Sequence, residues 1–156
     1  MDGASAPGWQ GGDQSASGTG VRPDGTAPAA ADTGFEILVA EDTPTMRLVI
    51  RGFLSKAGHR VTLAATGAEA CAALGRSCFD LAIIDLLMPD MDGDEVVRRL
   101  RHGRSAQAGL PVLMLTAAID PDSSDRVEAC GADMRLHKPF RRDDLLGAIG
   151  RLTAGR

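Results

Sequence analysis

The chain has 156 residues, of which 44% are hydrophobic and 24% charged, with a formal net charge of -4. It holds no apolar segment of about 18 residues to span a membrane, and no basic region followed by an apolar stretch to act as a secretory signal. Of its 21 acids and 17 bases, four acids (Asp2, Asp13, Asp24, Asp32) and one base (Arg22) fall in the first 34 residues, so the rest is near neutral and carries no nucleic-acid footprint.

A cytoplasmic location, with no membrane and no direct nucleic-acid partner, is therefore expected. Residues 1–34 are rich in Gly, Ala, Ser, Pro and Asp, show no period of 2 or 3.6, and are predicted to be a disordered tail. The single tryptophan, Trp9, lies in it. Residues 35–156 are predicted to form one domain.

FEILVA, residues 35–40, is an apolar run that ends at the acidic pair Glu41 and Asp42. Met46, Val49, Ile50, Phe53, Leu54 and Ala57 then recur at helical spacing, between a start at Thr43 and Pro44 and a stop at Gly58. RVTLA alternates, with Val61 and Leu63 on one face, and Thr66 with Glu69 gives a capping-box signature for a second helix. FDLAIIDLLMPDMDG, residues 79–93, delivers Asp85 from a continuous apolar strand into an acid-rich turn. Asp92 and Glu95 are expected to cap a third helix carrying Val96, Val97 and Leu100. Asp94 reads as a surface acid, and Met88 and Met91 as loop anchors. The basic string RRLRHGR, Arg98 to Arg104, reads as a complement to the helix dipole and a solvated loop.

PVLMLT, residues 111–116, is another run apolar on both faces. Asp120 and Pro121 open a fourth helix that is poor in large apolar residues. Met134 and Leu136 alternate with Arg135 and His137 in an edge-like strand, which Lys138 and Pro139 follow. Asp143 to Leu152 supplies a last helix with Leu145, Leu146, Ile149 and Leu152. Cys71, Cys78 and Cys130 form no C-x-x-C pair and read as small buried hydrophobes.

Five strands alternating with five helices imply right-handed crossovers and a doubly wound α/β fold with a parallel five-stranded sheet. The runs at 35–40, 79–84 and 111–115 belong in its centre, and the alternating strands near 61 and 135 at its edges. Strand order 2-1-3-4-5, that of the flavodoxin-like (βα)5 group, fits this division.

In such a sheet all strands end on one side. Glu41, Asp42, Asp85, Thr116 and Lys138 therefore converge, where open α/β folds bind ligands. Any one of these acids alone is more often a helix cap than a reactive group; the convergence of five strand-end residues carries the argument. Three carboxylates in one place repel unless a cation joins them, and a hard divalent ion such as Mg²⁺ suits oxygen ligands and a phosphate. Thr116 and Lys138 suit the remaining phosphoryl oxygens, which leaves Asp85 as nucleophile for an acyl phosphate.

With these motifs, the stretch from about residue 36 to 153 resembles the response-regulator receiver domains of two-component signalling. The resemblance implies that Asp85, in DLLMPDMDG, is the phosphoacceptor and that Glu41 and Asp42 are the acidic metal-binding pair. It makes Thr116, followed by the small Ala117, the switch hydroxyl, and Lys138 in KPF the active-site lysine, with Pro139 in a cis bond. It adds the main-chain carbonyl of Leu87 as a Mg²⁺ ligand. It also implies a phosphohistidine donor, either a histidine kinase or a histidine phosphotransfer protein, and an output partner of unknown identity. The protein would be no enzyme beyond catalysing its own phosphorylation and dephosphorylation. The chain ends about one helix after KPF, so the expectation is a stand-alone receiver or one excised from a hybrid histidine kinase.

One position departs from the family pattern: Arg135 stands where an aromatic residue or histidine is usual, three residues before the lysine. Arg135 is expected to pair with an acid on a partner or on the neighbouring helix. Leu87 and Ala118, both apolar, flank the approach of water to the phosphoryl group, so slow self-dephosphorylation is expected. His59, His102 and His137 are not predicted to cluster. A phosphatase with an aspartyl nucleophile usually places a second Asp where Leu87 stands, and no glycine-rich phosphate loop follows a strand. A receiver-fold adaptor that binds partners without phosphotransfer is the main alternative, with a Mg²⁺-dependent aspartyl-phosphate phosphatase behind it.

Overall fold

The computed structural model describes residues 34–117 and 121–154. The predicted tail up to residue 33, including Trp9, lies outside the described residues, as do Ala118 and the helix start expected at Asp120. Five strands, β1 (Glu36–Ala40), β2 (Arg60–Ala64), β3 (Leu81–Asp85), β4 (Val112–Thr116) and β5 (Met134–His137), alternate with five helices. These are α1 (Pro44–Lys56), α2 (Gly67–Arg76), α3 (Gly93–His102), α4 (Pro121–Cys130) and α5 (Arg142–Thr153). All neighbouring strands pair in parallel, in the order β2-β1-β3-β4-β5. This is the order expected from the apolar runs, and β3 and β4 are buried at every position.

The two-residue period of the strands divides the core into two layers. Leu38, Ala40, Ala82, Ile84, Val112 and Met114 pack with residues of α2, α3 and α4, among them Ala70, Val96, Val97, Leu100, Val127 and Cys130. Ile37, Val39, Leu81, Ile83, Leu113 and Leu115 face the opposite way, onto Ile50 and Leu54 of α1 and Leu145, Ala148 and Ile149 of α5. The edge strands bury mainly one face: Val61, Leu63, Met134 and Leu136 pack into the α1/α5 layer, and Ala64, at the end of β2, packs into the other.

The helix ends follow local chemistry, with some departures from expectation. Pro44 begins α1, and Gly58, at φ 96°, ends its turn in the left-handed region that favours glycine. Thr66 Oγ1 accepts from Glu69 N–H, as a capping box requires, but the Glu69 carboxylate reaches Ala65 N–H rather than that of Thr66 itself. Asp90, in the loop after β3, adds a second cap by accepting from Gly67 and Ala68 N–H at 2.9 Å each.

The α3 expectation needs correction. Asp92 is the N-cap residue but makes no side-chain cap bond, and Glu95 pairs with Arg98 and Arg99 instead. Asp94 is no surface acid: it is buried, and Arg126 of α4 holds it at 2.8 Å while Arg98 lies at 3.2 Å. The helix-terminal dipole is a weaker partner than a guanidinium, so the ion pairs capture both acids.

The basic string is likewise more than a solvated end. Arg101 donates to the carbonyls of Gly131, Ala108 and Leu110 and pairs with Asp133, tying α3 to the loops that lead into β4 and β5. Cys130 is buried and Cys71 partly so, but Cys78 is exposed, because it falls in the turn after α2 rather than on a helix face. Met88 is buried and Met91 packs against the same layer, as loop anchors should.

Candidate functional site

The site lies where β1, β3, β4 and β5 end. Glu41 follows β1 directly, and its N–H donates to Ala64 O at 3.0 Å, so the β1–β2 pairing extends one residue and fixes the acidic turn. Arg47, in the first turns of α1, donates to the carbonyls of Glu41 and Asp42 and clamps the same turn. Asp85 is the last residue of β3, held in register with Leu115 of β4. Lys138 follows β5, with Lys138 N–H donating to Thr116 O at 2.7 Å and the Lys138–Pro139 bond cis, as the resemblance implied.

These placements bring the predicted residues together. Single carboxylate oxygens of Glu41, Asp42 and Asp85 all lie within 4.8 Å of one another. Lys138 Nζ lies 3.0 Å from Asp85 Oδ2 and 2.9 Å from Glu41 Oε1. Glu41 and Asp85 are buried, whereas Asp42 is half-buried and open to an incoming group.

Burial, together with the neighbouring Glu41 charge, pushes the Asp85 carboxyl up to about 6 against the pull of Lys138. Burial also acts to raise Glu41, but the Lys138 ammonium and the Thr43 N–H outweigh it, and its net direction is downward. Burial opposes the charged form of Lys138, yet the two carboxylates keep the ammonium above its ordinary range.

The donor set fits a hard cation. Glu41 Oε1 is fully buried and, despite its closeness to Lys138, has no donor in hydrogen-bond geometry among the described residues. The Lys138 ammonium lies beside this oxygen, yet its acceptor capacity is left unused, which a cation could take up. Three carboxylate oxygens at this spacing are ligands that Mg²⁺ or Ca²⁺ takes and that softer metals do not favour.

Thr116 reaches the same edge, fully buried, but its hydroxyl hydrogen-bonds His137 Nδ1 at 2.9 Å rather than Asp85 or Lys138. Leu87 follows in the β3–α3 loop; its side chain is 54% exposed, and its N–H points back to Asp85 Oδ1 at 3.4 Å. Arg135 is exposed and makes no ion pair among the described residues, so the expected pairing with the neighbouring helix is not formed. The histidines are indeed apart: His59 stacks on Phe35 and accepts its N–H, and His102 ends α3.

No sequence pattern marks Arg126, which links Asp92 and Asp94 at the start of α3 to α4. It ties the loop that follows Asp85 to α4. Replacing Arg126 with methionine keeps the stem and leaves Asp94 with Arg98 alone, so a loss of about 1 to 2 kcal/mol is expected in urea melts. An unchanged midpoint would mean that Arg98 satisfies Asp94 without help.

Comparison with known proteins agrees with this geometry. Residues 37–150 match the response regulator receiver domain family. The sensor histidine kinase AruS of Pseudomonas aeruginosa is 36% identical over 126 residues, covering 80% of this chain and 13% of AruS. The transcriptional regulatory protein TcrA of Mycobacterium tuberculosis is 38% identical over 123 residues, covering 78% of this chain and 47% of TcrA. The chain thus spans less than half the length of either relative. Among solved structures, the receiver domain of the sensor histidine kinase PA1611 from Pseudomonas aeruginosa superimposes with a TM-score of 0.73 at 31% identity. That match covers 79% of this chain and all of the other, which carries a magnesium ion in its active-site cleft. The sheet order, the acidic cluster beside Lys138 and a family match over most of the described residues agree: this chain belongs to the response regulator receiver domains of two-component signalling.

Proposed function

We propose that Asp85 accepts a phosphoryl group from a phosphohistidine donor, and that the modified domain then binds an output partner differently. The observation that carries this reading is Lys138 Nζ, which touches Asp85 and Glu41 at once where three carboxylates meet. An Asp85 oxygen attacks phosphorus, the P–N bond to the donor imidazole breaks, and the imidazole leaves with a proton from solvent. The products are an acyl phosphate on Asp85 and a free histidine. Lys138 neutralises charge on the transferred oxygens throughout, and the Thr116 hydroxyl would turn towards them.

Glu41, Asp42, Asp85 and the Leu87 carbonyl would hold Mg²⁺, which supplies charge neutralisation between carboxylate and phosphoryl oxygens. On this reading the protein acts on no substrate but itself. The donor is a histidine kinase or a histidine phosphotransfer protein, and the setting is the cytoplasm; no helix among the described residues is long and apolar enough to cross a membrane. Exposed Arg135, unpaired among the described residues, is suited to an acidic group on the output partner.

Incubation with acetyl phosphate and Mg²⁺, followed by intact-mass measurement, tests the reading: one phosphate should be gained. A chain that gains none yet still binds partners would be an adaptor on the same fold. Mg²⁺ should also raise the urea midpoint more at pH 7.5 than at pH 5, because Asp85 sheds its proton near pH 6 and only the carboxylate ligates. Equal shifts at both pH values would place the ion elsewhere.

A further inference from the structure

Thr116 and His137 are register partners at the ends of β4 and β5. Val112 and Met114 pack into the layer beneath α2, α3 and α4, so the strand alternation puts Thr116 on that face. Met134 and Leu136 pack into the opposite layer, which leaves Arg135 and His137 on the face of Thr116. There the imidazole Nδ1 lies 2.9 Å from Thr116 Oγ1. It is the one hydrogen-bond partner of the fully buried hydroxyl among the described residues.

A threonine hydroxyl moves between staggered rotamers, and whichever group carries the shared proton, the rotamer that sets Oγ1 against the imidazole on β5 is not the one that turns it across β4 towards Asp85 on β3. To donate to an oxygen on Asp85, one strand away, the hydroxyl must give up the imidazole. A phosphoryl oxygen is charged, and charge-assisted hydrogen bonds are roughly twice as strong as neutral ones. The exchange is therefore favourable once phosphate is present and unfavourable before.

We propose that His137 is a positioning residue for Thr116: its imidazole holds the hydroxyl on the β5 side while Asp85 is unmodified, and releases it when Asp85 carries phosphate. This rests on Asp85 being the phosphoacceptor. Release frees a half-buried imidazole on the face that also bears exposed Arg135. A change at Asp85 thereby reaches the β5 surface through a hydrogen bond, without the aromatic side chain that position 135 lacks.

The chain has three histidines, so their ¹⁵N imidazole resonances can be followed separately in the full-length protein with Mg²⁺, before and after acetyl phosphate. The His137 Nδ1 resonance should move on phosphorylation while those of His59 and His102 stay. His137→Val removes the restraint and should speed phosphorylation by acetyl phosphate about fivefold, the factor carried by one ordinary hydrogen bond. His137→Asn, whose amide overlies Nδ1, should return to the wild-type rate. An unmoved His137 resonance in protein whose mass shows the added phosphate would overturn the proposal, as would a valine variant no faster than wild type. The resonance test is made on the native chain and stands even if a variant folds poorly. No mass gain in the wild type would instead overturn the reading of Asp85, and this proposal with it.

Discussion

Asparagine at position 85 is expected to abolish the one-phosphate mass gain and, in the absence of metal, to make the protein more stable near pH 7.5. The first effect follows from losing the nucleophile: a carboxamide forms no acyl phosphate, and Lys138 is left with Glu41 alone. The second follows from linkage. Asp85 ionises at about 6 in the folded protein, because burial and the Glu41 charge outweigh the Lys138 contact. In the unfolded chain it ionises near 4. Between those values the folded state binds the proton that the unfolded state has lost, so stability falls as pH rises through that window. The loss is on the order of 3 kcal/mol.

Asparagine carries no titrating proton and should not show this fall. Glu41 works with the opposite sign: its depressed pKa gives stability that is present above its ordinary range and lost in stronger acid. Its effect lies mostly below the Asp85 window. Urea melts in chelator at pH 4.5 and 7.5 should therefore show the advantage of the asparagine variant growing with pH. A constant difference would mean that Asp85 is not held protonated by its surroundings.

The parts of this molecule that could be read in its sequence are those written in period and order. Three runs apolar on both faces and two alternating ones determine which strands are central. Once the strands are parallel, residues at their ends must meet, so Asp85 and Lys138 were paired across 53 positions of sequence without knowledge of either side chain's path. What escaped depends on side-chain reach. Arg126 finds Asp92 and Asp94 more than 30 residues away, and nothing in a helix poor in apolar residues marks one arginine as a link. Arg101 looked like one member of a basic string until its donors met three carbonyls. His137 was visible as the residue before Lys138. Its bond to Thr116 needed the β4–β5 register, which pattern alone does not supply.

Gly93 is where close packing and chemistry meet. It is buried at the start of α3, and its N–H donates to Leu86 O at 2.7 Å. A Cβ there would sit 2.2 Å from the Asp85 carbonyl oxygen, 2.9 Å from Ile84 Cγ2 and 3.0 Å from the Asp85 carbonyl carbon. Two of these atoms are backbone of β3, which is paired with β1 on one side and β4 on the other and cannot step aside. Gly93→Ala must therefore displace α3 or bend the strand end that carries Asp85. Overpacking of this kind costs about 3 kcal/mol.

Protein that still folds should transfer phosphate about a hundredfold more slowly, because a shift of roughly 1 Å at a reacting group has effects of that size. Gly75→Ala is the matched control. Gly75 is helical and exposed, and a Cβ there meets nothing within 4 Å. It should gain up to about 1 kcal/mol from the reduced freedom of the unfolded chain. Urea melts of both variants, with rates of mass gain from acetyl phosphate, separate the effects. A Gly93 variant as stable and as fast as wild type would show that α3 yields freely, and that its approach to β3 does not set the position of Asp85.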